Sequence, residues 1–246
     1  MPRPFSAVRD YGDIKRRIEA LGDRAQTRLL GEVGGYPIHG VSWGDEGQPL
    51  VWLTGGVHGD EPAGVEAVLR FLERDAWPEG LAFAVVPCVN PHGWVHNQRE
   101  NAQGCDINWS YARDDVVEVQ VVKDMARGRC FEFVVDFHED WESPGFYIYE
   151  IWRNGAPIAQ DIARQVAEIC PLNDSTEIEG QPARGGVVYP DITEEEATRG
   201  RGIPLELFRH HTDHLLTTET PTGLDMETRV ATHLTVLDAV VAEHRR

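Results

Sequence analysis

Three short apolar runs constrain this chain more than any other feature: Pro49–Thr54, Leu81–Val86 and Phe131–Phe137. Each has the length of a strand, and their nearly continuous apolar character suits strands buried on both faces. Helical patterns alternate with them. Ile14, Ile18 and Leu21 share one face within residues 7–22. Val65, Val68, Leu69 and Leu72 follow Asp60, a candidate cap, and Pro62, which suits a first turn. The same spacing returns at 115–127, 156–169 and 224–243. The β-type runs of 27–41, broken by Gly34-Gly35, predict a hairpin, and Gly145–Ile151 and His214–Glu219 read as further strands. Residues 87–112 and 171–203 read as polar loops, the second with a short strand at Val187–Tyr189. The alternation predicts an α/β fold: a single domain over residues 1–246 with a mixed, mainly parallel sheet flanked by helices on both faces.

Charge narrows the range of partners. Forty-one acidic against 23 basic residues give a net charge of −18. Such an excess repels phosphate backbones and anionic lipid, which argues against nucleic acid or a membrane surface as partner. No stretch approaches the roughly 20 apolar residues of a membrane helix, and Met1–Asp10 lacks the apolar core of a signal peptide. Cys88, Cys105, Cys130 and Cys170 are dispersed, without a CxxC pair, so neither a disulfide framework nor a thiolate zinc site is expected. The expected location is the cytoplasm.

In open α/β sheets, ligands collect beyond the carboxyl ends of the strands. Three such ends carry reactive side chains here. The first runs into Gly55-Gly-Val-His-Gly-Asp-Glu61, where His58 and Glu61 can offer a nitrogen and an oxygen to one ion; a helix cap beside a solvent-facing His is the plainer alternative. The second is Val134-Val-Asp-Phe-His138, where a lone His is more often a hydrogen-bonded structural residue; Asp136, Glu139 and Asp140 read as ordinary solvated charges or as a partner that holds the ring. Two histidines and one carboxylate, with a fourth position open, form the ligand set of a catalytic zinc. The third end, Leu215–Glu219, brings a carboxylate suited to general-base work. His210, His211 and His214 are dense, but no Glu completes the metalloprotease helix motif and the segment leads into a strand. Trp141, Phe146, Tyr147, Tyr149 and Trp152 suit either a pocket lining or a covered strand.

Between the first two ends lie Asn90-Pro-His-Gly-Trp and Arg99-Glu-Asn-Ala-Gln-Gly-Cys-Asp106-Ile-Asn108-Trp109. In chain order the motifs are HxxE, Asn-Pro-x-Gly, R-x-N-x-x-G-x-D-x-N, a strand-end His and Thr-x-Glu-x-Pro. Over residues 55–221 this order resembles the zinc carboxypeptidase superfamily, which includes carboxypeptidase A-like enzymes and the aspartoacylase and succinylglutamate desuccinylase deacylases. The resemblance implies one zinc per chain on His58, Glu61 and His138, with Glu219 as general base and later proton donor. It implies that Arg99 stabilises the oxyanion and that Asn108 helps to hold a substrate carboxylate.

Trp109 departs from the pattern, because the superfamily usually places Arg there and an indole cannot grip a carboxylate bidentately. A loop arginine would have to substitute: Arg184 and Arg201 are the leading candidates, with Arg113 and Arg199 behind them. Tyr189 is the candidate for the superfamily's substrate-contacting tyrosine. The implied activity is zinc-dependent hydrolysis of a peptide's amide bond, carboxypeptidase fashion. The alternatives are deacylation of a small N-acyl amino acid and a non-catalytic binding module on the same fold.

Overall fold

The computed structural model describes residues 8–45 and 47–244; residues 1–7, on which most of the signal-peptide reading rests, lie outside them. The strands are β1 (Gln26–Val33), β2 (Tyr36–Trp43), β3 (Leu50–Gly55), β4 (Ala82–Val86), β5 (Phe133–Asp140), β6 (Tyr147–Trp152), β7 (Glu177–Ile178), β8 (Gln181–Arg184), β9 (Val187–Val188) and β10 (His214–Pro221). The helices are α1 (Tyr11–Glu19), α2 (Pro62–Leu72), α3 (Pro91–His96), α4 (Val117–Ala126), α5 (Ala159–Val166), α6 (Ile192–Arg199), α7 (Ile203–His210) and α8 (Met226–His244).

All ten strands join one sheet in the order β1-β2-β4-β3-β5-β10-β6-β9-β8-β7. Its centre, β4-β3-β5-β10, is parallel. Antiparallel pairs extend it through β2 and β1 on one side and through β6 on the other. The sheet is therefore mixed, with its parallel part where the apolar runs lie.

Burial explains why those runs form its centre. Val51 and Leu53 face a core shared with α1, α2, α5 and α8, whereas Trp52 between them faces a second core shared with α4 and α7. Phe133 and Val135 against Val134 repeat the split on β5. A strand with both faces covered favours apolar residues at successive positions, and each such side chain contributes about 1.5–3 kcal/mol on burial.

Gly34 and Gly35, with φ of 59° and 84°, make the hairpin between β1 and β2, a turn that needs positive φ at both central residues.

The segments read as loops contain two α-helices, α3 and α6. In α3, Pro91 takes the first turn and Asn90 Oδ1 accepts the Gly93 N–H at 2.8 Å. With only six residues, it is too short to show an apolar period. The eight-residue α6 lies within the second segment, whereas α7 starts at its last residue and buries Ile203, Leu205, Leu207 and Phe208. At α2 the N-cap position falls on Glu61 rather than Asp60, and Glu61 does not cap with its own side chain.

Candidate metal centre

The carboxyl ends of β3, β5 and β10 open into one cavity of about 860 Å³, lined by His58, Glu61, Arg99, Asp106, Asn108, Trp109, His138, Arg199 and Glu219 among others. His58 sits in the turn after β3, Glu61 at the start of α2 and His138 near the end of β5, and all three are buried. A Cβ on Gly59 would fall 1.9 Å from the Gly93 carbonyl carbon, so only glycine lets the turn lie against α3.

One ligand atom from each of His58, Glu61 and His138 falls within 4.8 Å of the others. His58 Nδ1 is 2.7 Å from Glu61 Oε1 and 3.1 Å from His138 Nδ1. Glu61 Oε2 lies 2.9 Å from His138 Nδ1, yet it is buried and makes no hydrogen bond among the described residues. Two ring nitrogens and an unsatisfied carboxylate oxygen facing one point are poorly paired with each other but suit a cation between them. Tetrahedral bonds of 2.0–2.1 Å would separate neighbouring ligand atoms by about 3.3 Å, close to these spacings.

The far nitrogens support the same geometry. His58 Nε2 is 3.1 Å from Asp106 Oδ1, and His138 Nε2 is 3.1 Å from Asp136 Oδ2. A ring whose Nε2–H points at a carboxylate presents its Nδ1 lone pair to an ion. Asp136 is itself held by the Thr54 hydroxyl at 2.7 Å, and Asp106 by the Asn108 N–H and by Arg99 Nε, both at 3.0 Å. Burial alone would lower the histidine pKa values, but the facing carboxylates (Glu61 and Asp106 for His58, Asp136 and Glu61 for His138) override it and raise both. Burial likewise favours a neutral Glu61, and the two histidines hold it well below the usual carboxylate range instead.

Glu219 is the parallel-register partner of His138, so the two side chains leave the same face of the sheet on neighbouring strands. Burial pushes its carboxyl well above the ordinary range, helped by Glu61, Asp140 and Glu179 and opposed by His138. On the opposite face, Thr218 and Thr220 hydrogen-bond the two nitrogens of His233 at 3.0 and 3.2 Å. Burial drives that histidine down to about 3 and keeps it neutral.

The family model of the Succinylglutamate desuccinylase/Aspartoacylase catalytic domain matches residues 47–169. The chain belongs to the succinylglutamate desuccinylase/aspartoacylase family. Probable carboxypeptidase 2 of Arthroderma benhamiae is 31% identical over 97 residues, a match covering 36% of this chain and 18% of that protein. The match thus spans under a fifth of that relative's length. Among solved structures, a candidate metallopeptidase of Shewanella baltica OS155 superposes with a TM-score of 0.80 at 23% identity, covering 95% of this chain and 90% of that one. A metallo-carboxypeptidase of Pseudomonas aeruginosa, in complex with (2-guanidinoethylmercapto)succinic acid, gives 0.68 at 16% identity, with 95% and 68% covered. At such identities the likeness establishes the fold: a carboxypeptidase-like metallohydrolase fold.

Other residues singled out in this member of the succinylglutamate desuccinylase/aspartoacylase family divide between the cavity and its surroundings. Arg99, Asn108 and Trp109 line the cavity. Asn108 is 8% exposed, and its Oδ1 has no hydrogen-bond partner among the described residues. Tyr189, Arg184 and Arg201 do not line it. Tyr189 packs edge-on against Trp152, Arg184 lies on β8, and Arg201 is spent on Glu206 at 2.9 and 2.7 Å. Arg113 pairs with Asp115. Of the four candidate arginines, Arg199, the last residue of α6, reaches the cavity, its guanidinium 5.4 Å over the Trp109 ring and 2.6 Å from Glu179 Oε2. The cavity's tyrosines are Tyr147, opposite Glu219 in the β6–β10 pair, and Tyr149, opposite Thr217. Asp106 as partner of His58 escaped sequence reasoning; the one signal was an acid two residues before Asn108.

Proposed function

We propose that this chain is a zinc-dependent hydrolase of an amide bond, holding one zinc on His58, Glu61 and His138. The observation that carries the proposal is the pairing of that ligand set, each histidine backed by a carboxylate, with Glu219 on the adjacent strand of the same cavity. Zinc in such a site polarises a carbonyl and lowers the pKa of water towards ~7.

Glu219 takes a proton from the attacking water and returns it to the leaving nitrogen; its raised pKa makes it a stronger base than an ordinary carboxylate. Arg99 faces the charge that develops on the carbonyl oxygen. Asp106 and Asp136 keep the two imidazoles in the orientation the ion needs. Asn108, with its unsatisfied Oδ1, and Arg199, carried on Trp109, are the groups proposed to hold the substrate's polar end.

Carboxypeptidase-type cleavage of a peptide is the first reading, supported by the curated relatives' names. Trp109 in place of Arg, together with the family match, favours a second: deacylation of a small N-acyl amino acid. Turnover of matched peptides and N-acyl amino acids by zinc-loaded protein, each with free and amidated carboxyl ends, separates the two. A chain that hydrolyses none of them defeats both and leaves the non-catalytic binding module.

A further inference from the structure

The start of α2 poses a structural problem. A helix leaves its first N–H groups without partners, and the N-cap side chain usually takes one of them. Here the N-cap residue is Glu61, whose carboxylate is turned towards His58 and His138. The first turn of α2 contains no acidic residue of its own. Its cap comes from another strand: Glu139 Oε2 accepts the Ala63 N–H at 2.6 Å, and Glu139 Oε1 accepts from Arg229 of α8. The Glu139 side chain is fully buried and that of Arg229 only 12% exposed. A Cβ on Gly64 would fall 2.9 Å from the Phe137 Cβ, so helix and strand touch directly beside this bond.

Resting on the metal-centre reading above, we propose that Glu139 is a positioning residue of that centre: by capping α2 in place of Glu61, it frees Glu61 for the ion and fixes α2 against the strand that carries His138. Glu139 follows His138 in sequence and Ala63 lies two residues after Glu61. One hydrogen bond therefore ties the segments bearing two of the three ligands, and Arg229 supplies the countercharge that lets the carboxylate stay buried.

The far end of the sheet holds a natural control. Glu150 of β6 is equally buried and likewise accepts the Ile158 and Ala159 N–H groups at the start of α5, at 2.6 and 3.3 Å, but among the described residues it belongs to no metal-ligand cluster. The experiment titrates zinc and cobalt into wild type, Glu139→Gln, Glu139→Asp and Glu150→Gln, and records thermal unfolding of the metal-free proteins. Glu139→Gln loses the anionic cap, and Glu139→Asp keeps the charge beside Arg229 but is too short to reach Ala63.

Both Glu139 variants should lower zinc affinity about 10- to 100-fold and change the visible absorption of bound cobalt, which reports ligand geometry. Glu150→Gln should lower the Tm and leave both metal readouts unchanged. Should Glu139→Gln fail to fold, Glu139→Asp carries the same comparison. Wild-type affinity and cobalt spectra in the folded Glu139 variants, with only the Tm reduced, would overturn the role. A wild type that takes up no stoichiometric zinc or cobalt would overturn the metal centre itself.

Discussion

Two groups of histidines occupy opposite ends of the same sheet. At the carboxyl ends of β3 and β5, His58 and His138 are 80 residues apart in sequence, and their Nδ1 atoms are 3.1 Å apart. At the amino end of β10, His210, His211 and His214 crowd into five residues beside a second cavity of about 560 Å³. Their nitrogens go to separate partners: His214 Nε2 to Glu150 at 2.8 Å, His211 Nδ1 to the Arg129 carbonyl at 3.0 Å, and exposed His210 lies 3.6 Å from Glu206. Density in sequence therefore does not make a site. Convergence comes from parallel strands ending side by side, and from second nitrogens each tied to an acid so that the first ones meet.

The strongest break of this comparison would be a metal that stays when the wrong histidine is removed. His138→Ala should abolish stoichiometric zinc and all hydrolysis, whereas His210→Ala and His211→Ala should each keep one zinc, as read by metal analysis of the purified proteins. Zinc undiminished in His138→Ala would move the site elsewhere.

Next in size is Glu219→Gln. The amide keeps the shape but cannot accept a proton, so zinc content should hold while kcat falls about 100- to 10,000-fold. Near-normal turnover would remove Glu219 from the chemistry. Glu139 would not be a ready substitute, since its oxygens already serve Ala63 and Arg229.

A pH series sharpens the contrast further. In metal-free protein the raised pKa values of His58 and His138 contribute stability that is fully present below the unfolded value of ~6.5 and is lost as pH rises through the folded values. Zinc bound to these nitrogens would replace those protons, so its stabilisation should be small at pH 6 and grow towards pH 9. At 1,000 times Kd it reaches about 4 kcal/mol, a Tm gain of roughly 10 °C. Melting with and without chelator measures it, and a gain independent of pH would mean that the protons and the metal do not share these nitrogens.

The smallest effect expected is at Asp106→Asn, which leaves His58 its hydrogen-bond partner but removes the charge. Zinc affinity should fall about 10- to 100-fold with little change in the metal-free Tm. An unchanged affinity would make Asp106 a partner of Arg99 alone.

How far the sequence alone reaches can be judged from individual residues. The apolar runs determined β3, β4 and β5, because a strand covered on both faces can be read from its own composition. The strand-end rule then pointed to His58, Glu61, His138 and Glu219, and the two-residue period of a strand put Asp136 on the same face as His138. These are local facts, carried by spacing along one segment. Tertiary structure decided the rest. Arg199 rather than Arg184 or Arg201 reaches the cavity because α6 and the turn holding Trp109 meet across it, while Arg201 turns back to Glu206. Asp106 finds His58 across 48 residues, and Glu139 caps a helix that begins 77 residues before it. No periodicity encodes such pairings, since each depends on where two separately folded segments come to rest against one another.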